Sequence, residues 1–323
     1  MSNGQTMPPR RRSAAGRVAG VLVPAALAAS IGAAQAQPDA GPAPASGRAL
    51  AVCADPSNLP YSNQRQQGFE NRIAALLADD LHASLRFTWN MQRRSFLRRT
   101  LNAGACDVVI GLPLGLQGVA QTRAYYGSSY VFVTRRQPGL PELPLQGFDD
   151  PRLRPLKIGL QAVGAEGANT PPAMALARRG LVDRITGYPM WGDEADETPQ
   201  GRIVDAVASG EIDVAIVWGP FAGYFAQAHA GQLALSPVAA DPQQPALAFH
   251  YEMALSVRRS DGALRDELQQ VLDRRQADIQ AILREFGVPL ANAASAATAA
   301  LPFGAVAETT MPNPGPMALH SGD

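Results

Sequence analysis

Ala51-Val52-Cys53-Ala54-Asp55-Pro56-Ser57-Asn58-Leu59-Pro60-Tyr61-Ser62-Asn63 is the stretch on which the reading of the fold turns. Residues 49–53 form an apolar run that predicts a buried strand, and it leads straight into a polar loop broken by Pro56 and Pro60. A helix is predicted to begin at Gly68-Phe69-Glu70-Asn71, because Ile73, Leu76, Leu77 and Leu81 then recur at helical spacing. In an open α/β sheet, such a loop lies at the carboxyl end of a strand, where ligands bind. Asp55, Asn58, Tyr61 and Ser62 are therefore expected to face a crevice.

The flanking sequence extends this unit. Residues 85–89 alternate and are aromatic, as in a strand. Residues 91–103 predict a second helix with Phe96, Leu97, Thr100 and Leu101 inward, and residues 104–111 are a turn into a third buried strand. That is β-α-β-α-β, the unit of a parallel doubly wound sheet. The pattern recurs. After a strand at 129–134 and a Pro-rich crossing at 138–155, strands are predicted at 156–160, 185–191 and 213–218. Between them lie a helix capped by Thr170 with Pro171 in its first turn, and a helix at 201–209 opened by Thr198-Pro199. A strand at 249–257 and one long amphipathic helix at 261–286, stopped by Gly287 and Pro289, follow the second copy. Docked back on the first unit, they would make that lobe discontinuous and leave two crossing strands as a hinge.

Bulk properties bound the function. The 323 residues suffice for two domains, and 46% apolar content supplies a core. Twenty-eight basic and 28 acidic residues give zero net charge, which offers no case for nucleic acid or an anionic membrane. Arg10-Arg11-Arg12, the apolar run 18–31 and Ala34-Gln35-Ala36 read as a cleaved export signal spanning residues 1–36. Residues 37–47 are a Pro/Ala/Gly linker, and 291–323 read as a disordered tail. After cleavage no membrane attachment is expected. Two cysteines, Cys53 and Cys106, in an exported chain suggest one disulfide; with four scattered histidines, no metal site is expected. The acidic run Asp193-Glu194-Ala195-Asp196-Glu197 matches no cation loop and reads as a solvated surface. No catalytic motif is present, so the chain is read as a binding protein, not an enzyme.

From residue 48 to 289 the arrangement resembles the periplasmic solute-binding proteins of ABC transporters, in the amino-acid class. Within it, Cys53-Ala54-Asp55-Pro56, Asn58-Leu59-Pro60-Tyr61-Ser62-Asn63, Gly68-Phe69-Glu70-Asn71, Gln92-Arg93-Arg94, Gly104-Ala105-Cys106-Asp107-Val108-Val109 and Ile216-Val217-Trp218-Gly219-Pro220 resemble the quinoprotein-dehydrogenase-associated binding proteins, the MxaJ/XoxJ type. The resemblance implies two Rossmann-like α/β lobes joined by a two-strand hinge: residues 48–135 with 240–290 as lobe one and 136–239 as lobe two. It implies a periplasmic accessory protein, monomeric when free. Its partner would be a pyrroloquinoline quinone (PQQ)-dependent methanol dehydrogenase, with the enzyme's cytochrome c as a further candidate, and its role would be maturation or activation. A receptor for PQQ or a small polar solute is the alternative; no tightly bound cofactor is expected. Strands one and three are neighbours in this fold, which brings Cys53 and Cys106 within bonding reach.

Departures from an amino-acid receptor carry as much information. Such receptors hold the ligand carboxylate with an arginine in a Thr-x-x-Arg motif. The corresponding stretch here, Leu114-Gly115-Leu116-Gln117-Gly118-Val119-Ala120, has none, and Arg123 falls too late. The aspartate that usually holds the amine is replaced by Trp218-Gly219-Pro220. A buried zwitterion without counter-charges is expensive. The candidate crevice residues are Asp55, Asn58, Tyr61, Arg93, Pro113, Tyr125, Tyr126, Gly164 and Trp218, available to a ligand or partner. With both charge anchors missing, an open crevice without affinity for free amino acids is expected.

Overall fold

The computed structural model describes residues 47–290 other than 94, 137–143, 146, 163–169 and 191–197. Contacts divide the chain into Met1–Pro42 and Ala43–Asp323, and everything described belongs to the second unit. The predicted signal, much of the linker, the tail, Gly164 and the acidic run 193–197 lie outside the described residues.

The chain begins with β1 (Ala49–Ala54), a short hairpin β2 (Ser57–Asn58) and β3 (Ser62–Asn63), α1 (Phe69–Asp80), β4 (Ser84–Trp89), α2 (Phe96–Arg99), β5 (Val108–Pro113) and β6 (Val119–Gln121). The ten-residue β7 (Tyr126–Arg135) leads on to β8 (Ile158–Ala162), α3 (Pro171–Arg178), β9 (Ile185–Pro189), α4 (Arg202–Ser209), β10 (Val214–Trp218), α5 (Gly219–Ala226) and β11 (Leu233–Pro237). β12 (His250–Arg258), α6 (Gly262–Arg274) and α7 (Gln276–Glu285) close the described chain.

The strands order as β4-β1-β5-β12-β7-β10-β8-β9, with β11 on β7 and β6 on β12. β4, β1 and β5 are parallel, and so are β10, β8 and β9. Each trio is one α/β lobe. β7 and β12 join them: Tyr126–Ser129 of β7 pairs with β12, and from Tyr130 onward the same strand pairs with β10 and β11. The chain thus crosses between the lobes on two antiparallel strands, the second of which returns to pair with β5.

Alternation explains why both faces of this sheet are covered. Leu50, Val52, Val108 and Ile110 point into a core shared with α1, α6 and α7, while Cys53 and Val109 point the other way into a small cluster with Phe96, Leu101 and Cys106. That small cluster contains the Cys53–Cys106 disulfide. In lobe two, Ala215 and Val217 join the shared core, and Val214 and Ile216 pack with Phe132, Leu153 and Leu176.

Two helices differ from expectation. The helix predicted at 91–103 is only Phe96–Arg99, because Ser95 enters it from the left-handed region (φ 69°), which interrupts right-handed helix, and Thr100 leaves helical geometry. The helix predicted at 261–286 breaks at Arg275, whose side chain bonds Asp278 while Arg274 bonds Asp80 of α1. The predicted cap is present: Thr170 Oγ1 accepts from Ala173 N–H.

A buried ion pair joins the end of α3 to the segment between β11 and β12. Arg179 donates to both carboxylate oxygens of Asp241 at 2.8 and 2.9 Å; the Asp241 side chain is fully buried and the guanidinium also lies over Phe148. The pair holds the Asp241 carboxyl below the usual range, chiefly through the Arg179 hydrogen bonds. Removing one partner strands the other charge, so Arg179→Ala is expected to lower unfolding free energy by about 3 kcal/mol. Urea denaturation measures this, and an unchanged midpoint would contradict it.

Candidate functional site

The first crevice wall is built by the loop after β1. Asp55 is 4% exposed, and its carboxylate accepts from Ser57 N–H at 2.9 Å and from Gln92 N–H at 2.6 Å, so it ties the β1 loop to the β4 loop. Asn58, also buried, accepts from Tyr61 N–H through its carbonyl, and Leu59–Pro60 is a cis peptide. The carbonyls of Pro60 and Tyr61 then accept from the N–H groups of Phe69 and Glu70, capping α1 with main chain instead of a side chain. This requires glycine at 68, since a Cβ there would stand 2.0 Å from the Tyr61 carbonyl oxygen. Asn71 completes the turn by accepting from Gly68 and Asn63 N–H.

Held in this way, the Tyr61 ring packs against Phe69 and Phe221, with centroids 4.9 and 5.2 Å away. Its hydroxyl accepts the indole N–H of Trp218 at 2.6 Å. Trp218 stands at the end of β10, edge-on to Tyr130 and Tyr251. Tyr61 belongs to lobe one and Trp218 to lobe two, so the lobes meet through their own aromatics. α5 reinforces the contact: the turn after α7 comes so near that a Cβ on Gly223 would stand 1.8 Å from the Gly287 carbonyl oxygen, and Tyr224 stacks on Phe286. The open crevice expected from the missing charge anchors is therefore not what the chain adopts; apolar packing supplies the closed-state contacts that a ligand ordinarily makes.

Tyr125 and Tyr126 lie behind Tyr61, their rings edge-on, and both hydroxyls are buried with no well-formed hydrogen bond among the described residues, Tyr126's turned toward that of Tyr61. Sequence reasoning treated Glu70 as part of a helix start and missed its position. It is 7% exposed, with its carboxylate against Gly111. Burial first, and the charge of Asp55 second, push its carboxyl well above the usual range. Burial likewise raises the Tyr61, Tyr125 and Tyr126 hydroxyls. Two buried amides were also missed, because glutamine carries no motif. Gln161 Oε1 accepts from Trp218 N–H at 3.3 Å and Gln200 Nε2 donates to the Ser57 carbonyl at 3.4 Å; Gln161 Nε2 and Gln200 Oε1 have no partner among the described residues.

Other predicted residues fall elsewhere. Pro113 ends β5, and its carbonyl accepts from Gln121, whose side-chain oxygen takes the N–H groups of Gly115 and Leu116. The segment that would carry a carboxylate-binding arginine is thus closed on itself. Arg123 lies outside, bonded to both oxygens of Asp273 beside a surface cavity of about 280 Å³. Arg93 is exposed and does not reach the aromatic group by any hydrogen bond or ion pair among the described residues. Tyr61, Tyr125, Tyr126 and Trp218 are brought together; Gly164 lies outside the described residues.

Since the folded chain binds the Glu70 proton more tightly than the unfolded one, this residue's contribution to stability is complete below about pH 4.3 and is lost as pH rises through its folded-state value. Glu70→Gln should remove that loss. As pH rises from about 4.3, urea midpoints should fall less steeply in the variant, and parallel profiles would contradict the assignment.

No family model matches the chain. It is 30% identical to Protein MoxJ of Methylorubrum extorquens, over 87% of this chain and 96% of that protein. The crystal structure of the periplasmic binding protein XoxJ from Methylobacterium extorquens AM1 is similar at 35% identity and TM-score 0.60, covering 75% of this chain and 99% of that one. The crystal structure of MxaJ from Methlophaga aminisulfidivorans MPT is similar at 26% identity and TM-score 0.62, covering 75% and 100%.

Proposed function

The chain belongs to the MoxJ family of periplasmic binding-fold proteins, and on that premise we propose that it is a non-enzymatic accessory of a PQQ-dependent methanol or alcohol dehydrogenase, acting in that enzyme's maturation or activation. In this reading residues 1–36 direct export to the periplasm, residues 48–135 with 240–290 form lobe one, and 136–239 form lobe two. The mature chain is a monomer until it meets its partner. Among the described residues no helix is long and apolar enough to cross a membrane.

The observation that carries the reading is the Tyr61–Trp218 contact. A solute receptor closes because ligand binds the closed state better than the open one. Here the closed state is stabilised from within, and among the described residues no arginine is placed to hold a carboxylate among the aromatics. A small solute has little to add, whereas a protein partner can use the outer surface of a fixed two-lobed body.

One observation favours the receptor alternative. Gln161 Nε2 and Gln200 Oε1, without partners among the described residues, offer a donor and an acceptor beside the crevice, suited to a neutral polar molecule.

The accessory reading predicts that the purified protein binds the organism's methanol dehydrogenase, that enzyme from a deletion strain has low activity, and that added protein restores it. Calorimetry against the common amino acids and PQQ should give no heat of binding. Micromolar binding of any of these ligands, with no association with the dehydrogenase, would establish the receptor instead.

A further inference from the structure

The two faces of lobe one treat charge differently. On the face covered by α1, α6 and α7, most arginines are ion-paired: Arg48 pairs with Glu267, Arg72 with Glu285, Arg123 with Asp273 and Arg274 with Asp80, while Arg284 of α7 has no ion pair among the described residues. The opposite face carries the disulfide cluster and α2. Arg98 and Arg99 project from α2 itself, Arg93 lies in the turn whose carbonyl accepts Phe96 N–H, and Arg86 sits on β4 in register with Ala51, which packs against the same cluster. All four are exposed. Among the described residues none has a carboxylate partner; Arg98 donates only to Ser95 Oγ, at 3.1 Å. Two acids of this lobe are engaged elsewhere, Asp55 by backbone N–H groups and Asp107 by Arg258.

An uncompensated arginine cluster on a chain of zero net charge is a local choice, not a consequence of composition. The guanidinium fork matches carboxylates in pairs, and arginine is among the residues that dominate interface energetics. Met91, 40% exposed, adds an apolar contact at the rim. α2 turns Phe96 and Leu101 inward onto the disulfide, so the face has charge without an apolar wedge. A carboxylate-bearing protein surface fits this better than a lipid bilayer does.

We propose that the α2 face, with Arg86, Arg93, Arg98 and Arg99, is the surface by which this chain docks an acidic patch on its partner protein, leaving the aromatic crevice as internal structure. The proposal rests on the dehydrogenase reading, and the test separates the two. Binding of the purified mature protein to the methanol dehydrogenase is measured by biolayer interferometry at low and physiological ionic strength. The variant R93Q/R98Q/R99Q should bind at least about tenfold more weakly and lose most of its salt dependence. The corresponding triple lysine variant should recover part of the affinity. R154Q/R178Q/R259Q, which removes equal charge from exposed positions elsewhere with no ion pair among the described residues, should bind as wild type. Unchanged melting temperatures exclude misfolding.

Wild-type binding that survives R93Q/R98Q/R99Q overturns this docking face and leaves the accessory reading intact. Equal weakening by both triple variants reduces the effect to net charge and also overturns it. Absence of wild-type binding overturns both readings. Binding to phosphatidylglycerol vesicles that is lost in R93Q/R98Q/R99Q, while dehydrogenase binding is kept, assigns the face to lipid and overturns the proposal.

Discussion

Everything around the crevice depends on where Tyr61 is held. Its main chain is fixed from both sides: Asp55 and Ser62 close the loop after β1, and the carbonyls of Pro60 and Tyr61 take the first N–H groups of α1. A side chain anchored so firmly is preorganised for the indole of Trp218 and the ring of Phe221. The same packing excludes water from Glu70 and the tyrosine hydroxyls, which is why burial dominates the shift of each. A buried carboxylic acid and two hydroxyls with no well-formed hydrogen bond among the described residues are destabilising features, tolerated here inside a large core that runs without a break from α1 to α5.

This fold serves elsewhere as a hinged clamp, and its hinge is retained in β7 and β12. What differs is the source of the closing energy. A ligand contributes it only when bound, whereas aromatic side chains contribute it always. The expected result is a body of constant shape, whose recognition features lie on its surface. The charge distribution agrees, because the face of α1, α6 and α7 is mostly ion-paired and the disulfide-backed face keeps its positive charge.

Much of the fold was legible because buried parallel strands leave continuous apolar runs and capped helices leave local signals. Residues 49–53 and 213–218 and the Thr170-Pro171 start are examples. The two misjudged helices are cases where local geometry overrides periodicity: Ser95 enters α2 with positive φ, and Arg275 drops out of an otherwise helical pattern. The site was half legible. Aromatics at strand ends pointed to Tyr61, Tyr125, Tyr126 and Trp218, but their mutual contact depends on the angle between lobes, which no local pattern encodes. Glu70 looked like an ordinary acid in a first helical turn, and Gln161 and Gln200 like any surface amide, since burial of a polar residue is set by what packs over it.

Small-angle X-ray scattering of the mature protein without ligand tests the central claim most directly, with Trp218→Ala/Phe221→Ala as the comparison. The account predicts a compact wild-type profile, unchanged by amino acids or PQQ, and an increased radius of gyration in the variant as the lobes part. A wild-type profile as expanded as the variant's, contracting when a small solute is added, would contradict it.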